Sequence, residues 1–203
     1  MTARIAKEFA LQAGIHYEGR FIVNTYLMEL HMDVTTEDIR EQNIALDRIK
    51  YLFDMCFDSC VFVDQQDIAA IDNYCKAGIR VCTLPDSPYD QVVAAVLLSK
   101  FNTITEQKLF VDEICISSRI CDDLSFYVTS DEEIPFNAVN GVWWKENNAS
   151  ISDGFNKPNK KEKILQLKKD IPDWTAIGLT WKPKPNAKNS KVVFIDPESS
   201  HPN

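Results

Sequence analysis

Hydrophobic positions along the chain recur at a period of two in some stretches and about 3.6 in others, and the switches between them mark the elements. Residues 2–13 (TARIAKEFALQA) are mixed and rich in helix formers and predict one short helix, with Gly14 and Gly19 breaking the chain after it. Arg20 to Asp33 (RFIVNTYLMELHMD) is rich in β-branched and aromatic residues. It alternates at Phe21, Val23, Thr25, Leu27 and Glu29, which predicts a long strand. From Thr35 the period becomes helical. Thr35 or Thr36 can cap the helix, Glu37, Asp38 and Glu41 complement its dipole, and Ile39, Leu46, Ile49 and Phe53 form its apolar stripe.

Residues 58–64 (DSCVFVD) form a short apolar run, 65–76 an amphipathic helix closed by Ala77-Gly78, and 79–84 (IRVCTL) a second run. A strand, helix and strand on short links read as a βαβ unit over 58–84, with a parallel pair and a right-handed crossover. Tyr89 to Thr105 is apolar nearly all round, as a central helix is. Lys108 to Ser117 and Leu124 to Thr129 alternate and predict an antiparallel hairpin across SRICDD. Beyond it, 130–160 is irregular and holds Trp143 and Trp144. Residues 160–170 predict a short basic helix, 174–181 and 192–195 predict strands, and KPKPNAKNSK between those two is a loop. The pattern gives an α/β class, with α+β as the alternative: a mixed sheet flanked by helices, in one domain spanning 1–203.

Charge sharpens this picture. Over the whole chain the net is -8, but residues 1–156 carry 12 Lys and Arg against 25 Asp and Glu. The segment 157–191 reverses the sign, with 10 Lys against 3 acids. An acidic body disfavours bulk nucleic-acid binding, and the basic segment is expected to lie against that body. Most of the six cysteines stand in apolar runs, with no apolar leader before them. They predict buried free thiols and a reducing, cytoplasmic compartment rather than a disulfide framework. The longest apolar run is Val92 to Leu98, too short to span a bilayer, so no membrane partner is expected.

No phosphate-cradling glycine loop and no HExxH motif occurs, and His16, His31 and His201 are too few for a histidine metal site. Neither a cofactor nor a metal is expected. His31, within a strand, reads as a packed or surface histidine. Cys56-x-x-x-Cys60 and Cys115-x5-Cys121 lack the spacing of a zinc knuckle. The candidate binding residues are Asp64, Asp86 and Asp90, which follow the two parallel strands, and the pair Trp143-Trp144. Ligands bind outside the carboxyl ends of such strands, so the three acids can share one rim; aspartates there also cap helices. The Trp pair suits stacking on a base or sugar, anchoring a partner, or folding back as a lid. In an extended segment one ring would face in and the other out.

At TTEDIREQNIALDRIKYLFD, LPDSPYDQVVAAVLLSKFNTITEQKL and VNGVWW the chain resembles the gene thirty-point-three family of uncharacterised proteins of T4-like bacteriophages. The resemblance spans about residues 20–195 and brings no catalytic residues. It implies a phage accessory protein of the host bacterial cytoplasm. With no catalytic signature, the expected function is a binding or interaction protein that modulates host proteins, nucleotides or defence signals. The alternatives are a small metal-dependent enzyme of nucleotide metabolism working through the three aspartates, and an acidic DNA-mimicking inhibitor.

Overall fold

The computed structural model describes residues 3–131, 143–152 and 173–181. Its first element is a strand, β1 (Arg4–Tyr17), where a helix was predicted. Ile5, Phe9, Leu11, Ala13 and Ile15 share one parity, and β1 pairs along its whole length with β2 (Arg20–Val34), from Arg4↔Asp33 to Tyr17↔Arg20. That ladder overrides the local helix preference of the Ala- and Lys-containing stretch. The hairpin turns on Glu18 and Gly19, both with positive φ (48° and 72°), the geometry of a type I′ turn. Gly14 does not break the strand; the Phe21 ring lies where its Cβ would be.

The helix after β2 is α1 (Ile39–Tyr51), which runs on through a π-helical turn at Leu52–Phe57. Its N-cap is Asp38, whose carboxylate accepts the Arg40 N–H at 2.8 Å; Thr36 supports Glu41 from its hydroxyl instead of capping. The predicted crossover is present as β3 (Val61–Asp64), α2 (Ile68–Lys76) and β4 (Val81–Leu84), with β3 and β4 parallel in the register Val61↔Val81 to Asp64↔Leu84. Then come α3 (Asp90–Thr105), β5 (Leu109–Ser118) and β6 (Ser125–Thr129). The result is a mixed six-stranded sheet ordered β4-β3-β1-β2-β5-β6, an α/β fold. It is parallel at the β4-β3-β1 end and antiparallel from β1 to β6.

The helices cover the two faces unequally. α1, its π-turn and α3 pack on one face over Leu11, Tyr26, Met28, Leu30, Ile114 and Ile116. On the other face α2 makes a small second core with Val61, Val63 and Val81. α3 is the central helix: twelve of its sixteen residues are buried. No helix among the described residues is long and apolar enough to cross a membrane.

Two later segments complete the main core. Residues 143–152 lie along β4, where Thr83 N–H donates to the Ile151 carbonyl at 3.2 Å. Buried Lys100 holds this segment by donating to the carbonyls of Trp143 (2.9 Å) and Glu146 (2.8 Å). Residues 173–181 form turns, not the predicted strand, because Arg48 captures them. Its guanidinium lies 4.9 Å from the Trp174 ring and 4.0 Å from the Trp181 ring, and its Nε donates to the Leu179 carbonyl at 2.9 Å. The predicted helix at 160–170, the loop at 182–191 and the strand at 192–195 lie outside the described residues.

Candidate functional site

β1, β3, β4 and β5 point the same way, so Tyr17, Asp64, Leu84 and Ser118 end along one edge of the sheet. The three candidate aspartates are at this end, but they do not converge. Asp64 accepts the Gln66 N–H at 2.8 Å and Asp86 accepts the Ser87 N–H at 2.6 Å. One oxygen of each carboxylate is engaged in shaping a turn. Asp90 opens α3 and turns inward, 1% exposed, where one oxygen accepts the Ser118 hydroxyl at 3.0 Å. Its other oxygen is buried, and so are the Tyr26 hydroxyl and the Asn24 amide nitrogen beside it. Ser118 and Tyr26 are register partners on β5 and β2, so these groups share one polar pocket under α3.

Burial pushes the Asp90 carboxyl up, with hydrogen bonds from Ser118 and Cys121 opposing it in part. A carboxyl whose folded value is raised binds its proton more tightly in the native state. Its contribution to stability is therefore greatest in acid and declines as pH rises from the unfolded value through the folded one. Asp90→Asn, which keeps the acceptor for Ser118, is expected to be more stable than the parent at pH 7 by about 1 kcal/mol, and to lose that advantage at pH 3.5. Urea unfolding at the two pH values reads this; an equal difference at both would show that the charge plays no part.

On the opposite face, His16 bridges β1 to α2. Its Nε2 lies 3.2 Å from an Asp67 carboxylate oxygen and its Nδ1 2.9 Å from the Tyr74 hydroxyl. The other Asp67 oxygen caps α2 by accepting the Ala70 N–H. With a proton on Nε2 the ring donates to Asp67, and Nδ1 is left to pair with the Tyr74 hydroxyl. This chain of bonds anchors a helix with only a small core of its own.

Among the described residues no three His, Cys, Asp or Glu side chains come together as metal ligands do. Burial pushes the Cys56 thiol up to about 11 and the Cys82 thiol well above its usual range, which keeps both protonated and unreactive. Trp143 and Trp144 are 0% and 2% exposed, so neither ring faces out. The segment is a 3-10 turn, not an extended strand, and both indoles turn inward. Trp143 lies beside Phe57, the two rings tilted by 56°, and its Nε1–H donates to the Thr83 carbonyl at 2.7 Å. The pair is core, and its chemistry is spent on packing.

The feature that sequence reading missed is the outer face of the antiparallel half-sheet, over which no helix packs among the described residues beyond the edge contact of Tyr74 of α2 with Phe21. In β2 the buried parity is Asn24, Tyr26, Met28, Leu30 and Met32. The alternating set that predicted the strand is the outward one. Its members Phe21, Val23 and Leu27 are 53%, 71% and 60% exposed, and Tyr127 on β6 is 62% exposed. The same face carries Glu8, Glu29, Asp33, Asp112 and Glu113, against Arg4 as its one arginine or lysine among the described residues. Arg4 pairs with Asp112 at 3.0 Å, and His31 stands 3.6 Å from Glu29 and 3.7 Å from Glu113. The signal was legible in principle: a strand covered on one face only should be polar at every second position, and β2 is apolar at both parities from Phe21 to Met28.

No family model and no curated protein matches the chain. Among solved structures it is similar to an uncharacterized protein of Wolinella succinogenes (11% identity, 64% of this chain and 99% of that one, TM-score 0.47). It is also similar to 6-pyruvoyltetrahydropterin synthase of Plasmodium vivax, in a catalytic-residue mutant (10% identity, 63% and 97%, TM-score 0.43). The synthase of Plasmodium falciparum gives 10% identity, 63% and 96% coverage, and a TM-score of 0.40.

Proposed function

We propose that this chain is a binding protein that engages a partner through the open face of its sheet, and that it serves a T4-like phage as an accessory factor acting on a host component in the bacterial cytoplasm. One observation carries the reading: large apolar side chains more than half exposed on a sheet face that no helix among the described residues covers. Such a patch costs solubility unless something covers it. The five acids around it favour a partner that is apolar at its centre and basic at its margin, and disfavour a nucleic acid. The metal-dependent alternative needs Asp64, Asp86 and Asp90 on one ligand, and two of them are engaged by backbone turns.

The double substitution Val23→Lys, Leu27→Lys tests this. Both side chains are exposed, so the fold is expected to survive with its melting temperature changed by no more than a few degrees. The immobilised parent is expected to retain a basic host protein that the variant does not. Parent and variant retaining the same proteins would show that the open face binds nothing.

A further inference from the structure

The free edge of β1 lies beside this open face. Among the described residues β3 pairs with β1 only at Gly14 and Ile15, and no other described strand pairs with that edge from Arg4 to Ala10. The direction of the backbone groups follows from two bonds. Gln12 C=O accepts from Ser59 and Gly14 N–H donates to Cys60, so the even-numbered residues point toward the β3 side. The N–H and C=O groups of Ala6, Glu8 and Ala10 therefore point outward, while the odd-numbered residues form the ladder with β2. Ala6, Glu8 and Ala10 are all exposed. Such an edge is a template for one more strand.

Side chains say which strand. Across the ladder Glu8 stands opposite Glu29, a like-charge pair on the open face. A base set opposite Glu8 from the vacant side would relieve it. On the inner side of the same edge lie Ile5 and Phe9, half-buried, with Phe9 stacked on Phe53 at 4.2 Å. An added strand would meet apolar surface there and acids on the outer face.

We infer that the partner of the open face docks as an extended segment with basic and apolar residues in alternation, added to the edge of β1 at Arg4–Ala10. The inference rests on the binding role proposed above and specifies the chemistry and backbone geometry of the partner. A second copy of this chain is a poorer fit, since it would extend the acidic face with more acid.

The probe is a nine-residue peptide of alternating lysine and valine, added to the full chain, with alternating glutamate and valine as control. The expected result is binding of the lysine peptide alone, with exchange of the Ala6, Glu8 and Ala10 amide protons slowed at least tenfold. Ala10→Pro removes an outward N–H that the β1–β2 ladder does not use, as edge strands tolerate. It is expected to weaken the peptide at least tenfold while leaving the fold intact. Should that variant unfold, the exchange data on the parent decide alone. Binding without protection at these amides, lost in Leu27→Lys, would overturn strand addition and leave the open-face reading standing. Absence of binding, or binding unchanged in Leu27→Lys, would sink both. Protection already present in the free protein, with sedimentation as a dimer, would assign the edge to a second copy.

Discussion

Arg48→Ala is expected to lower the free energy of unfolding by about 3 kcal/mol and to release residues 173–181 from the body of the fold. Arg48 is 2% exposed. It donates to the Ile104 carbonyl at 2.7 Å, the Leu179 carbonyl at 2.9 Å and the Glu106 carboxylate at 2.9 Å, and both Trp174 and Trp181 lie over its guanidinium. Burial pulls the guanidinium below its ordinary value, and Glu106 opposes that pull. Removing it leaves buried carbonyls without donors and two indoles without the cation between them. Arg48→Lys should rescue little, because an ammonium cannot lie flat between two rings and reach three acceptors at once. Urea unfolding gives the stability, and limited proteolysis reports on 173–181. A lysine variant as stable and protease-resistant as the parent would contradict this account.

Trp143→Ala is expected to cost more, about 4 kcal/mol, as large aromatic truncations in a core do. The ring is fully buried beside Phe57 and Trp144, its Nε1 holds the Thr83 carbonyl, and Lys100 lies over it at 5.4 Å. The truncation opens a cavity and weakens the seat of a buried cation. Trp143→Phe keeps most of the packing and should cost about half as much. Denaturant midpoints measure both. A loss under about 1 kcal/mol for the alanine variant would mean that 143–152 is not part of the cooperative core.

The parts of the fold that were legible are those whose signals are local. The crossover over 58–84 and the central helix follow from short apolar runs, an amphipathic helix and a helix apolar all round, and each needs no knowledge of its neighbours. β1 was not legible as a strand, because its pairing with β2 outweighs a composition that suits a helix equally well. Which parity of β2 faces out was not legible, because Phe21, Val23 and Leu27 are as hydrophobic as their inward neighbours. Only Glu29, His31 and Asp33 further along mark that side as outward. Residues 174–181 alternate like a strand, yet Arg48 wraps them into turns, with Gly178 at a φ of 79°. No property of those eight residues reports a guanidinium 131 positions away. The rim was legible in place but not in chemistry: the sequence shows aspartates after strands, not which one turns inward.

The two buried cations also order events in time. Arg48 and Lys100 are made early in synthesis, while their acceptors at Trp143, Glu146 and Leu179 emerge from the ribosome much later. Until then Arg48 has its acceptors at Ile104 and Glu106 but not the Leu179 carbonyl, and Lys100 does not have those at Trp143 and Glu146, so burying the two charges costs more before these segments exist. The last described segment thereby acts as a latch on the part of the core around Arg48.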